Sequence, residues 1–550
     1  MTDADVSEAA DLPSDAEAAD VTSGSDVSSA SKADDEHDGR AELSALLSSA
    51  TLVLLGTLLY SGSTLLERVV LSRAVGTAAY GRVELVLGVL QFATTLSLIG
   101  FSQGIPRFMS RFDDERDVRG VWATGLLVAL GLGILIAAAL VTNAESFAAV
   151  FFDRPDPRSQ RLLTLFALAI PVYAVMKVAI AGIRGFEVTV YRSATRDVLY
   201  PASRLAVLGA LLYLGFGTEA AGYAYLLALV LTAVVAHLLL RRLMALFGPV
   251  RTHARKMVAF SLPLILATLI TVMLFRTDTF LVGFFRSDRA VGLYGYAYSL
   301  AGAMSLVLSA FGFLYLPMTS RLDADGRIDE VNTLYQVTTK WVYVVTFPAF
   351  LAFTVFAPDV LTIFFPDDAA AAAPALTIVS IGFFVSAAAG RSRETLSALG
   401  DTKTVFYSNA IAFACNLLLN VALIPRYGIV GAAVTSAISY VLLYAIVYAV
   451  LRRRYAITPF SRYSIRTFVV LPLALFPPTI LLSGYVSLTV VTLPIFLVGA
   501  GFVTVSLVSV AGCLQPADAV PLDLIEEKIG VTIPFIRRFV PDGDGEVEFL

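Results

Sequence analysis

Charge is the first quantity this 550-residue chain is short of. Asp, Glu, Lys and Arg together make up 15% of it, where a soluble chain carries about a quarter. Lysine is scarcer still: Lys32, Lys177, Lys256, Lys340, Lys403 and Lys528 stand beside 34 arginines. The two cysteines, Cys415 and Cys513, sit in apolar surroundings at no metal or disulfide spacing. That excludes a secreted disulfide scaffold and leaves each as a small packed side chain. Three histidines, His37, His237 and His253, form no metal set, and there is no Walker A motif. No metal, cofactor or catalytic residue is expected, and so little polar surface excludes a soluble enzyme and a nucleic-acid-binding protein.

Apolar residues supply what charge does not, at 57% with a mean hydropathy of +0.77. Spanning hydrocarbon takes about 20 mainly apolar residues, and such segments recur. They lie near 45–72, 82–106, 120–143, 161–183, 194–216, 221–243 and 257–284. A second set lies near 292–318, 338–358, 373–391, 404–425, 429–451, 465–485 and 489–512. The expected fold is therefore an all-α polytopic membrane protein with about 14 transmembrane helices. Residues 45–243 would form one lobe of six helices and 257–451 a second, with two C-terminal helices over 465–512.

The ends differ from the middle. Residues 1–40 hold twelve acidic side chains against Lys32 and Arg40, a net charge of −10. Rich in Asp, Ser and Ala, this stretch reads as a disordered tail rather than a signal peptide. Residues 515–550 read as a second tail, in which Leu522–Ile529 and Ile533–Phe539 look amphipathic, either on the membrane surface or solvated. With the first tail in the cytoplasm, 23 Lys and Arg fall in inner connections and nine in outer ones. Positive residues accumulate inside, so a multi-pass cell-membrane protein with both termini cytoplasmic is expected. Twelve spans would satisfy the same rule.

The chain also echoes itself at about 210–216 residues. Ala74-Val-Gly-Thr-Ala-Ala-Tyr-Gly81 recurs as Ala290-Val-Gly-Leu-Tyr-Gly295, and Thr189-Val-Tyr-Arg-Ser-Ala194 as Thr404-Val-Phe-Tyr-Ser-Asn-Ala410. Gly217-Thr-Glu-Ala-Ala-Gly222 matches Gly428-Ile-Val-Gly-Ala-Ala433, each before an apolar run ending in arginines. A period of six spans preserves orientation, so the two halves would be parallel repeats flanking a substrate path.

Four passages carry a family resemblance. They are Glu67-Arg68 through Gly81, Ile99-Gly-Phe-Ser-Gln-Gly-Ile-Pro-Arg107, Asp278 with Val291-Gly-Leu-Tyr-Gly295, and Ala398-Leu-Gly-Asp-Thr-Lys403 leading through Asn416 to Ala433. Over 45–512 the chain resembles polysaccharide-biosynthesis flippases of the multidrug/oligosaccharidyl-lipid/polysaccharide exporter superfamily. The resemblance implies two lobes around a central cavity, alternating access, and movement of a lipid-linked oligosaccharide on a polyprenyl or dolichyl phosphate carrier to the outer leaflet. Membrane lipids and glycan-assembly proteins are the partners it implies. Flippases of this kind carry an Arg–acid pair on the first span, whereas here the order is Glu67 then Arg68.

An ionisable group at mid-bilayer is costly and usually faces a cavity or a partner. At 1.5 Å per residue, Arg204 lies about 15 Å into its span, Lys177 about 23 Å along the fourth, and Arg276 and Asp278 about 29–32 Å along the seventh. With Glu67 and Arg68 these are the candidate substrate-binding charges, each readable instead as a structural ion pair. Arg276 and Asp278 stand about 200° apart on a helix and so should address different neighbours. Asn416 and Asn420 share a helix face and read as interhelical hydrogen-bonders. Two other functions compete. A drug or cation exporter would want an acid-dominated cavity, and a membrane glycosyltransferase would want large outer loops.

Overall fold

Backbone polar groups in hydrocarbon must be satisfied within the segment, so long apolar runs fold as helices there. The computed structural model describes residues 55–153, 156–310, 312–519 and 537–541. The acidic stretch 1–40 and the amphipathic run Leu522–Ile529 lie outside the described residues. The first helix described is α1 (55–75). It is followed by α2 (Thr77–Leu98), α3 (Glu115–Thr142) and α4 (Pro157–Gly185), with a short helix, Phe101–Met109, after α2. The run 189–213 (α5) is π-helical over Ala194–Leu199 before Tyr200–Tyr213. Pro201 has no N–H to donate, and the widened turn ahead of it accommodates that loss. Helix α6 (Glu219–Leu243) completes the first lobe.

The second lobe begins with α7 (Ala254–Phe285), α8 (Asp288–Ala303), α9 (Ile328–Val355) and α10 (Ala373–Ala389). The 54-residue helical run Thr402–Tyr455 is not one rod. Gly428 sits at φ 59°, ψ −135°, a conformation that glycine adopts without a Cβ clash. A Cβ on Gly431 would lie 2.6 Å from the Leu423 carbonyl oxygen, so the chain doubles back there. Residues 402–427 are α11 and 429–455 are α12. Helices α13 (Arg462–Ser483) and α14 (Thr492–Val510) then pack against α9.

Eleven helices among the described residues are long and apolar enough to cross a membrane. The sequence expectation of fourteen differs at three places: α1, the π-interrupted α5, and the single run that holds α11 and α12. The side chains agree with lipid: Leu127, Leu473, Val498 and Phe502 on α3, α13 and α14 are 69–74% exposed. Exposed large apolar side chains on this scale mark a surface made for hydrocarbon.

The lobes repeat each other in packing. In the first, α4 lies against α2, α3 and α6; in the second, α10 lies against α8, α9 and the 402–455 hairpin. Between the lobes, the first internal echo packs on its own copy. A Cβ on Gly81 of α2 would lie 1.9 Å from the Asp288 carbonyl oxygen, and one on Gly292 of α8 would lie 2.1 Å from that of Thr77. Backbone meets backbone at this crossing, as small residues allow between membrane helices. Tyr80 stacks on Tyr296 at 4.9 Å beside it. Arg82 bridges Asp288 at 2.7 Å and Asp156 at 3.2 Å, and Thr77 donates to Asp368 at 2.7 Å. The two lobes are thus fastened at the end where the α1–α2 and α7–α8 connections run.

Below the last helix, Gln515 and Asp518 fold back on α9. Lys340 of α9 forms a fully buried ion pair with Asp518, which also accepts from the Trp341 indole at 2.9 Å. The start of the expected C-terminal tail is therefore fixed to the second lobe.

The glycine crossing makes a direct expectation. Gly292→Val should lower the unfolding temperature of the detergent-purified protein, since overpacking a tight contact costs about 1–3 kcal/mol. Gly131→Val, on the α3 surface with open space at its Cβ, should leave it unchanged. Equal melting of the two variants would show that the crossing is not tight.

Candidate functional site

The charged residues converge where α1, α2, α5, α6 and α7 meet. Glu67 and Arg68 are adjacent on α1 and turn to opposite sides. Glu67 pairs with Arg204 of α5, both almost fully buried. The Arg204 guanidinium lies between two rings, 5.0 Å from that of Tyr200 and 4.6 Å from that of Tyr225, and donates to Thr64 at 3.4 Å. Paired and sandwiched, Arg204 is a neutralised and tightly held cation.

Arg68 turns instead to Glu84 of α2, at 3.3 Å, and donates to Ser299 of α8. Arg276 of α7 approaches the same carboxylate at 3.5 Å and donates to Gln91 at 2.9 Å. Tyr80 donates to Glu84 at 2.7 Å. One buried carboxylate thus serves two arginines from different lobes. A cavity of about 110 Å³ lies between the two charged groups, lined by Glu67, Arg68, Glu84, Gln91, Arg204 and Arg276. A second cavity of about 410 Å³ runs from Arg68 and Arg276 toward Tyr298 and Phe383.

Lys177 of α4 stands apart from this group. It lines a third cavity of about 240 Å³ with Thr94, Tyr173 and Thr268, and its ammonium is 5.1 Å from the centre of the Tyr173 ring. Among the described residues it has no carboxylate partner. Gln91 lines all three cavities, so they adjoin along α2.

Asp278 is elsewhere again. It accepts from Tyr294 at 2.8 Å, Asn416 at 2.9 Å and Asn420 at 2.5 Å, and from Ser436. Those partners sit on α8, α11 and α12, so the carboxylate ties the second lobe together and faces none of the three cavities. Arg276 and Asp278 do address different neighbours, and Asn416 and Asn420 do bond across helices. A carboxylate held by four donors with no cation beside it can keep its charge, or take a proton, without its shell coming apart.

Glu84 is the residue that sequence reading passed over. Starting the second span near 82 places Glu84 at its rim, where a carboxylate would be solvated. The helix in fact starts at Thr77, so Glu84 lies about 10 Å inside its end. Counting back to Gly76 as a helix stop would have revealed it.

A profile described as polysaccharide biosynthesis protein matches residues 70–374, over half of the chain. The chain belongs to that family. Among curated proteins it is similar to the probable flippase AglR of Haloferax volcanii, with 24% identity over 268 residues. That match covers 48% of this chain and 56% of the relative, so the chain spans little more than half of the relative's length. Among solved structures it is similar to the lipid II flippase MurJ in an inward closed conformation. The TM-score is 0.67 at 12% identity, covering 84% of this chain and 98% of that one. An inward-facing multidrug resistance MATE family transporter of the MOP superfamily gives 0.60 at 15%, covering 73% and 94%. At such identities the likeness establishes the fold, and it is the two-lobed exporter fold that the sequence resembles.

Sharing one carboxylate makes Glu84 critical. Glu84→Gln should leave Arg68 and Arg276 as uncompensated like charges, a loss of about 3–5 kcal/mol for a broken buried pair. Thermal unfolding of the purified variant is the measurement, and a melting temperature equal to wild type would contradict the bridge.

Proposed function

We propose that this protein is a membrane flippase that carries a lipid-(pyro)phosphate-linked oligosaccharide from the cytoplasmic to the outer leaflet by alternating access. The observation that carries the reading is the charge balance of the central cavities. Arg68, Arg204, Arg276 and Lys177 face Glu67 and Glu84, which leaves a net charge of +2. A phosphate crossing lipid must exchange its hydration for protein donors, and the arginine fork fits two of its oxygens. A cavity with excess positive charge suits such a group and disfavours the cationic drugs of a multidrug exporter. The family description and the name of the Haloferax relative point the same way, to a transporter for glycan synthesis rather than an enzyme.

In this reading the cargo phosphate takes Arg276 from Glu84, because Arg276 comes from the opposite lobe and Glu84 retains Arg68. The step needs no net creation of unpaired charge. Arg204, held by Glu67 and two rings, positions rather than releases. Fourteen crossings are proposed, with α1, α5, α11 and α12 each counted as one, and both termini in the cytoplasm.

Arg204→Ala should abolish flipping, and Arg204→Lys should retain part of it, since lysine keeps the charge but loses the fork. Lys177→Ala should impair flipping less. The measurement is accumulation of unflipped glycolipid in cells at matched protein abundance. Normal transport by both Arg204→Ala and Arg276→Ala would mean these side chains are structural. For the topology, reporter fusions after residues 40 and 515 should both read as internal, and an external signal at either would overturn the assignment.

A further inference from the structure

A fourth cavity, of about 460 Å³, lies outside the charged centre. It opens at the end of the first lobe where the α2–α3 and α4–α5 connections run, the side that the arginine distribution assigns to the cytoplasm. Three arginines line it: Arg107 from the short helix Phe101–Met109, Arg184 from the last turn of α4, and Arg192 from the start of α5. Glu187 is the one carboxylate on its wall. The lining therefore carries a net charge of +2.

The walls are built rather than incidental. A Cβ on Gly185 would lie 2.8 Å from the Met109 Cβ and 3.4 Å from the Pro106 Cα, so the end of α4 is pressed onto the short helix. On its other side, a Cβ on Gly104 would lie 2.5 Å from the Ser261 hydroxyl of α7. Arg107 is held 4.4 Å from the centre of the Phe260 ring, also on α7. The turn between α4 and α5 places Glu187 at φ 60°, a left-handed conformation that a residue with a Cβ adopts at a cost. Among the described residues, neither Arg184 nor Arg192 has a carboxylate within ion-pair distance. Arg192 is half-buried, whereas Arg107 and Arg184 are exposed at the opening, so all three guanidinium groups remain free to meet an anion from the solvent side.

We infer that this pocket is a loading site for a diphosphate headgroup at the cytoplasmic mouth of the first lobe, held between Arg107, Arg184 and Arg192. A diphosphate offers several oxygens to more than one guanidinium fork, and its charge balances that of the lining. From the pocket the chemistry continues inward along one helix. Lys177 lies seven residues before Arg184 on α4, about 10 Å deeper, and lines the cavity that adjoins the charged centre through Gln91. The headgroup would so meet an open arginine pocket first, then a single lysine two turns deeper on α4, and then the paired arginines. This inference rests on the flippase reading for the identity of the cargo, while the anion site itself does not.

The test is isothermal titration of the detergent-purified full chain with sodium pyrophosphate. The Arg184→Ala/Arg192→Ala variant should bind at least tenfold more weakly than wild type. The Arg452→Ala/Arg453→Ala variant, equally reduced in charge at the end of α12, should bind as wild type does. An Arg184→Lys/Arg192→Lys variant guards against misfolding; it should melt as wild type does and lose affinity by about threefold, for want of the fork. Unchanged binding in the alanine variant would overturn the site, as would an equal loss in the α12 variant. To separate the sources of the headgroup, phosphatidylcholine nanodiscs containing either a polyprenyl diphosphate or phosphatidylglycerol are compared. The diphosphate lipid should displace pyrophosphate at a mole fraction where phosphatidylglycerol does not; equal displacement would overturn the assignment to cargo. Normal surface glycan in cells lacking the chain would sink the flippase reading alone and leave the titration result standing.

Discussion

A charge placed in hydrocarbon must be answered by another charge or by a shell of donors, and this molecule is organised around those answers. Glu67 answers Arg204, Glu84 answers Arg68 and Arg276 together, and Lys340 and Asp518 answer each other. Asp278, with no cation, is answered by a tyrosine, a serine and two asparagines. Each pairing ties one segment to another, from the consecutive helices of Arg68 and Glu84 to the 178 residues between Lys340 and Asp518, so the electrostatic requirement and the assembly of the bundle are one problem. The cations left without a carboxylate are then informative. Lys177 and Arg184 lie about two turns apart on α4, and Arg192 follows at the start of α5.

The fastening between the lobes is of a different kind. At the crossing of α2 and α8 the contact is backbone on backbone, with glycine at both positions where a side chain would intrude. Such a contact is short-ranged: it holds firmly when formed and contributes nothing once the helices part by a few ångströms. The Arg82 bridge to Asp156 and Asp288 reaches further and is partly exposed. A tight contact that releases abruptly, beside ionic contacts that yield gradually, is a joint of the kind the proposed alternating access requires.

Much of this was legible in the sequence, for identifiable reasons. Apolar runs of membrane length, the internal echoes, and the family passages from Glu67 to Gly81 and around Asp278 gave the helical class and the exporter fold. Depth along each span found Arg204, Arg68 and Arg276, because burial in lipid penalises charge regardless of tertiary detail. What depth could not give was partnership. A span begun at 82, five residues late, hides Glu84, and depth alone groups Asp278 with Arg276 although Arg276 lines the central cavities and Asp278 bonds only within the second lobe. The mouth arginines were counted only for their sign, since a pocket formed by Gly185 on Met109 depends on packing that no local pattern records. The reversal at Gly428 was legible, because the spans 404–425 and 429–451 meet there with Arg426 between them.

The Lys340–Asp518 pair has a consequence for the order of assembly. The two residues are 178 positions apart in the chain. Helix α9 leaves the ribosome and meets the membrane while five further helices, and the carboxylate that will neutralise Lys340, do not yet exist. Until residue 518 is made, the second lobe contains a lysine without its counter-charge, and its packing against α13 and α14 is incomplete. The segment after the last helix is thus a clasp that closes after the helices it fastens. A chain truncated before it would keep at most the Cys513 carbonyl, 3.1 Å away, as an acceptor for that ammonium group, and no counter-charge among the described residues.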